Sequence, residues 1–255
     1  MSAATGSVNM GIDEALATLC RDRATLRFYA WEAPTLSIGY AQRCDDIDVA
    51  ACRTSKVTLV RRPTGGRAVL HRQDLTYSLI VPLRPPWTTC SIAESYRLIN
   101  RCLLRGLEML GLKASIGRRA TRADGALASF CFSTIAQDEL LVDGKKVIGS
   151  AQRRFPRALL QQGSILLDFN PAGILALLCA DERAAAAGAL MAVGSLRETL
   201  GRLPHRLEVE AAIRNGFAEE MGVEFAQGEL DPEEFELSMQ LAETRYGSQS
   251  WTFRL

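Results

Sequence analysis

The chain has little from which to build a metal site or a disulfide framework. It has only two histidines, His71 and His205, and neither stands at ligand spacing from a cysteine. Its seven cysteines (Cys20, Cys44, Cys52, Cys90, Cys102, Cys131 and Cys179) are odd in number, widely spaced and free of any Cys-x-x-Cys pair. Structural zinc and a disulfide scaffold are therefore not expected. No apolar run reaches the roughly 20 residues of a membrane span, and residues 1–8 are small and polar, unlike a secretory leader. Net charge is only +1, so the chain lacks the basic field of a nucleic-acid binder. Repeats and low-complexity segments are absent, and no Gly-Lys-Ser or Gly-Lys-Thr marks a Walker loop. These absences describe a cytoplasmic protein with reduced, mostly buried thiols, and no membrane or nucleic-acid partner. Lysine is also scarce. Of 30 basic residues only Lys56, Lys113, Lys145 and Lys146 are lysines, which draws attention to the adjacent pair.

What is present is ordinary for a globular chain. Hydrophobic residues are 47% of 255 and charged residues 23%. That length suits one large domain or two small ones. Asn9 reads as the N-cap of a helix through Ile12, Ala15, Leu16 and Leu19. Strand-like runs follow at 25–30, 35–40, 56–60 and 74–81, the last with alternating polarity. Ser91 and Glu94 make a capping box for a helix with Ile92, Tyr96, Ile99, Leu103, Leu107 and Leu110 on one face and Gly111 at its end. Cys102 lies in that helix and is expected in the core. Residues 139–153 read as a hairpin about an Asp143-Gly144 turn, and 164–169 as a further strand. Helices are expected at 172–193, 207–221 and 232–246, the last capped by Asp231 with Pro232 at its first position. The polar stretch 194–204 reads as a linker candidate and 118–128 as a mobile loop. Strands early and helices late imply an α+β fold, one mixed β-sheet flanked by helices.

Three segments can carry chemistry. Arg61-Arg62-Pro63-Thr64-Gly65-Gly66-Arg67-Ala68-Val69-Leu70-His71 joins two strands by a Gly-Gly pair. Such a loop can present backbone N–H groups to an anion held by the flanking arginines. It can equally be a plain hairpin turn with arginines in water. In Lys145-Lys146-Val147-Ile148-Gly149-Ser150-Ala151-Gln152, strand alternation puts Lys146, Ile148, Ser150 and Gln152 on one face and Lys145, Val147, Gly149 and Ala151 on the other. A lysine facing a half-buried sheet needs a carbonyl or anionic partner, and Gly149 would let a ligand lie against the strand. The alternative is an edge strand with two solvated lysines. Phe130-Cys131-Phe132 offers either an inert buried thiol or, beside an ammonium group, a thiolate nucleophile. Any base for it would be Lys146 or His71.

In order and spacing these pieces resemble the lipoate-protein ligase and octanoyltransferase family, related to biotin protein ligase. The resemblance also draws on Asn9 to Leu16, Arg27-Phe28-Tyr29, Pro34 to Tyr40, Asp74 to Ser78, Gly163 to Leu167 and Leu241 to Trp251. It runs from about residue 9 to 251. It implies one ligase-like catalytic domain over 1–255, with no C-terminal accessory domain and with an acyl tunnel against the sheet. Arg61, Gly65, Gly66, Arg67, Ala68, Val69, His71, Gly149, Ser150, Ala151 and Gly163 would bind the acyl substrate. Lys146 matches the lysine of Gly-x-Lys-x-x-Gly-Ser-Ala. In the Bacillus-type octanoyltransferase branch a Cys-Phe pair precedes the hairpin glycine by thirteen residues, as Cys131-Phe132 precedes Gly144. That match makes Cys131 the expected nucleophile and Lys146 its catalytic partner. Two departures stand out: Gln162 where many relatives have His, and Arg72 near a position where relatives often carry an acid.

The implied reaction takes octanoyl from octanoyl-acyl carrier protein to Cys131. It then passes to a lysine of a lipoyl domain or glycine-cleavage H protein, with no cofactor required. The alternatives are an ATP- and Mg-dependent lipoate or octanoate ligase working through an acyl-adenylate, and an amidotransferase between lipoyl proteins. A non-catalytic, repressor-like binder is disfavoured because the N-terminus is too short for a helix-turn-helix.

Overall fold

The computed structural model describes residues 3–117 and 140–254. Within them the α+β reading stands, but the strands form three sheets rather than one. The largest has five strands in the order β1 (Ala3–Ala4), β2 (Thr25–Trp31), β6 (Asp74–Pro82), β11 (Ala158–Leu166) and β10 (Ile148–Arg154). Its β1–β2 pairing is parallel and the rest antiparallel, so the sheet is mixed. A second sheet places β3 (Thr35–Ile38) between β4 (Thr58–Arg61) and β5 (Val69–His71). A third joins β7 (Ala114–Ile116), β8 (Leu140–Val142) and β9 (Lys145–Lys146).

The alternation in β6 orients the whole molecule. Leu75, Tyr77, Leu79 and Val81 pack into one core with α3 (Ile92–Met109) and α7 (Arg206–Met221). Ile80 faces the other way, toward Leu16 and Ala17 of α1 (Gly6–Leu19). Thr76 and Ser78 share the Ile80 face, and so does Asp74 at the strand's start. One face of the sheet is thus an ordinary apolar core. The other carries a buried polar seam beneath α1, which α8 (Pro232–Leu241) covers from outside.

Several boundaries differ from the sequence reading. Asn9 does not cap α1. Thr5 does, accepting from the Val8 amide, while Asn9 is fully buried inside the helix and donates to Ala4 and Ala30 carbonyls. The Asp143-Gly144 turn forms with both residues at positive φ, 50° and 76°, as a tight hairpin turn requires. The strand after it breaks at Val147. Lys145 and Lys146 pair with β8, and from Ile148 on the chain pairs with β11. Alternation therefore holds only beyond the break, and Val147 and Ile148 both enter the α3–α7 core.

The strand expected at 164–169 starts earlier, at Ala158. The helix expected over 172–193 is two, α4 (Pro171–Leu175) and α5 (Ala180–Ala189). Residues 177–179 between them exchange backbone hydrogen bonds with Asp46 and Asp48, which interrupts the helical ladder. The supposed linker 194–204 holds a short helix, α6 (Leu196–Leu200), anchored by fully buried Leu196.

Other expectations stand. The Ser91–Glu94 and Asp231–Glu234 capping boxes form, Cys102 is in the core, and Gly111 sits at φ +82°. Ile92, however, is exposed. No helix among the described residues is long and apolar enough to cross a membrane.

Candidate active site

Arg61 and Arg62 are adjacent and both buried, yet they serve opposite sides of β4. The Arg61 guanidinium donates to the carbonyls of Gly39, Tyr40, Gln42 and Thr252, and to Cys44 Sγ. It ties β3 and the chain's last turn together and does not line the cavity described below. Burial lowers its pKa from the ordinary guanidinium value. Arg62 points inward. It donates to Ser37 Oγ at 3.1 Å and to the Gly65 and Arg67 carbonyls at 2.7 Å each, closing the Gly-Gly loop on itself. Gly66 takes φ +83° there. At Gly39 a side chain is impossible, because a Cβ would lie 1.9 Å from the Gly66 carbonyl oxygen. Ala68 is fully buried and packs with Leu36 and Ile38 rather than lining the cavity.

The inner end of this loop meets the polar face of β6. His71 Nδ1 lies 2.8 Å from Asp74 Oδ2, and its Nε2 lies 2.8 Å from Ser37 Oγ. Trp31 stacks on the imidazole at 4.1 Å and donates its indole N–H to Thr76 Oγ1. Asp74 Oδ2 also accepts from Thr76 and Ser164 hydroxyls. Burial alone would raise the Asp74 pKa. The adjacent imidazole and these hydrogen bonds outweigh it and hold the carboxyl below the usual range. A second buried acid, Asp13 of α1, accepts from Arg27, Ser78, Tyr29 and Gln162. Gln162 thus carries a structural duty, donating to Asp13 while accepting from Thr64.

The two networks border one small pocket. Strands β10 and β11 supply Gly149, Ser150, Ala151 and Gly163 to its lining, β5 supplies Val69 and His71, and Ser37 and Arg62 complete the polar side. Gly163 is explained by its neighbours. It stands between Tyr77 and Ser150 in the cross-strand register, and a Cβ there would lie 2.2 Å from the Tyr77 ring. The ring crosses the glycine so that its hydroxyl meets Ser150 Oγ at 2.9 Å and accepts from Gln161. Burial pushes the Tyr77 pKa up to about 12, so it remains a neutral phenol.

Lys146 is 1% exposed, and its backbone carbonyl receives the Gly194 amide. Lys145 is the solvated member of the pair, bridged to Glu198. The structure therefore brings together Val69, His71, Gly149, Ser150, Ala151 and Gly163. Gly65 and Arg67 reach the site through the carbonyls that Arg62 holds, and Arg61 stands behind it. Cys131 and the loop at 118–128 lie outside the described residues.

Sequence reasoning missed Ser37, Trp31 and Asp74 as site residues. The signal for Asp74 was the even-numbered polar set of 74–78, which a buried strand would not carry without a purpose; no local pattern marked Ser37 or Trp31. His205 caps α7 at the surface, away from this chemistry. Among the described residues no three His, Cys, Asp or Glu side chains converge as metal ligands would. A wider surface cleft at the start of α1 contains none of the expected residues.

Residues 5–218 match the lipoyl protein ligase A/B catalytic domain. The chain is 39% identical to octanoyltransferase LipM of Kyrpidia tusciae, covering 98% of this chain and 95% of that one. It is 35% identical to the protein of the same name from Bacillus subtilis, with the same coverage. Among solved structures it resembles the bipartite lipoate protein ligase of Thermoplasma acidophilum, described with its E2 lipoyl domain. There the TM-score is 0.83 at 22% identity, over 99% of this chain and 93% of that one, a likeness of fold. On a match that spans most of its length, and with the Gly-Gly loop and the Gly149–Ala151 segment on one cavity, this chain belongs to the lipoyl protein ligase A/B catalytic domain family.

Proposed function

We propose that this chain is a cytoplasmic octanoyltransferase of protein lipoylation, acting over residues 1–255 as one catalytic domain. Its donor is octanoyl-acyl carrier protein and its acceptor a specific lysine of a lipoyl domain or H protein. The observation that carries the reading is the likeness to proteins named octanoyltransferase over nearly the whole chain. The cavity against β10 and β11 supports it, because it sets a small-residue strand surface beside polar groups. Such a surface suits an acyl chain, whose burial contributes about 0.8 kcal/mol per CH₂.

The chemistry is two acyl transfers. The Cys131 thiolate attacks the donor thioester, an S–acyl bond forms, and the carrier leaves as a thiol. The acceptor amine then attacks the enzyme thioester, an amide forms, and Cys131 is released. The Lys146 ammonium stabilises the oxyanion of each tetrahedral intermediate and favours the thiolate. Val69, His71, Gly149, Ala151 and Gly163 wall the acyl chain, and the loop from Gly65 to Arg67 frames its carbonyl end. This route draws on no nucleotide and no metal. The family fold also admits an ATP-dependent ligase, and a cysteine would equally serve amidotransfer.

Intact-mass analysis after incubation with octanoyl-acyl carrier protein, without ATP, tests the reading. An octanoyl adduct is expected on the wild type and not on Cys131→Ala. Use of free octanoate with ATP, and no adduct, would replace the transferase by the ligase. An adduct that persists in Cys131→Ala would move the nucleophile elsewhere. Lys146→Ala is expected to fold and to lose transfer.

A further inference from the structure

Ser37, His71 and Asp74 form an aligned chain that ends in the cavity, and although His71 also walls the acyl chain, neither acyl transfer as written above moves a proton through it. Asp74 Oδ2 receives the Thr76 and Ser164 hydroxyls and faces His71 Nδ1 at 2.8 Å. An oxygen already accepting two hydroxyl protons requires a donor at Nδ1, so a ring with one proton carries it there and leaves Nε2 as an acceptor. Ser37 is then the donor across the 2.8 Å contact to Nε2. A hydroxyl oxygen has two lone pairs. Arg62 occupies one, at 3.1 Å, and no described residue occupies the other. Ser37 and His71 both line the cavity. Trp31 stacked on the ring and Arg206 on the Asp74 carbonyl hold the chain in place.

We propose that Ser37, His71 and Asp74 are a proton relay that makes the acceptor lysine nucleophilic. The inference rests on the acyl-transfer reading but concerns only its amine side. A lysine side chain has a pKa near 10.4, so at pH 7 only roughly four in ten thousand are free amine. The ammonium donates to the open lone pair of Ser37 Oγ, and its proton replaces the one that Ser37 passes to His71 Nε2. Asp74 stabilises the imidazolium. The free amine attacks the acyl carbonyl, the N–C bond forms and the C–S bond breaks. The departing sulfur takes the second amine proton, and His71 returns the first to solvent. Ser37 touches the substrate; His71 and Asp74 act through it.

The test compares two acceptors on one acyl-enzyme. One is a lipoyl-domain lysine. The other is hydroxylamine, whose nitrogen is already unprotonated near neutral pH and needs no relay. The ratio of lysine transfer to hydroxylamine discharge is expected to fall about a hundredfold in Ser37→Ala and His71→Gln, the lower range for a lost general base. Because each variant serves as its own reference, a partial loss of folded protein cancels. Unchanged ratios would overturn the relay and leave the three residues as packing around Arg62. A wild type that forms no octanoyl adduct would sink the thioester reading instead. The same ratio, measured with octanoate and ATP, would then decide the relay by the same criterion.

Discussion

Asp13 and Asp74 are two carboxylates buried within one polar seam, one on α1 and one at the start of β6, and the protein uses them differently. Asp13 is paired with a guanidinium, Arg27, at 2.8 Å and shares its other bonds among Ser78, Tyr29 and Gln162. Its partners come from β2, β6 and β11, so it pins the helix to the sheet. Asp74 gathers two hydroxyls and an imidazole on one oxygen, and the imidazole leads through Ser37 to the cavity. A strong, permanent cation makes an acid structural. An imidazole that continues through a hydroxyl to the pocket sets Asp74 apart from an acid pinned by a guanidinium.

The comparison breaks most visibly at Asp13. Asp13→Ala leaves Arg27, whose side chain is 17% exposed, without its counter-charge. A loss of about 3–5 kcal/mol is expected in urea unfolding, as for other broken buried pairs. A loss under 1 kcal/mol would mean that Asp13 is no anchor.

Asp74→Asn is expected to cost less, about 1–3 kcal/mol at pH 7, because hydrogen bonds rather than a fixed ion pair are disturbed. Its signature is in the pH profile. The Asp74 pKa is depressed by folding, so its stabilisation is complete above the unfolded value near 3.9 and is lost as pH falls through the folded value. Unfolding midpoints measured from pH 5 downward should therefore fall less steeply in Asp74→Asn than in the wild type. Parallel profiles would show that the carboxylate contributes nothing to acid stability.

The smallest effect sharpens the comparison. Ser78→Ala and Ser164→Ala each remove one hydroxyl donor from one of the two acids. Each is expected to cost about 1 kcal/mol, equally for the two sites. A clear inequality would show that the acids differ in more than their charged partners.

Much of the fold was legible from local chemistry. The Ser91–Glu94 and Asp231–Glu234 boxes, the Asp143-Gly144 turn and the alternation of β6 are decided by residues within a few positions of one another. The failures share one cause. Asn9 looks like a cap, but its amide is taken by Ala4 and Ala30, the latter 21 residues away. The helix at 172–193 breaks because Asp46 and Asp48 claim its backbone. Gly163 looked like a surface for substrate, and it is also the gap through which Tyr77 reaches Ser150.

The amino-acid sequence alone determined the helix caps, the tight turn, the apolar and polar faces of β6 and the family resemblance, all of which depend on residue type and spacing along the chain. Only the tertiary structure decided that Arg61 holds carbonyls while Arg62 faces the cavity, that Lys146 is buried and Lys145 solvated, and that Ser37, His71 and Asp74 align. The reason is physical. A buried polar group takes whichever partner satisfies it at hydrogen-bonding distance, and those partners come from strands far apart in the chain.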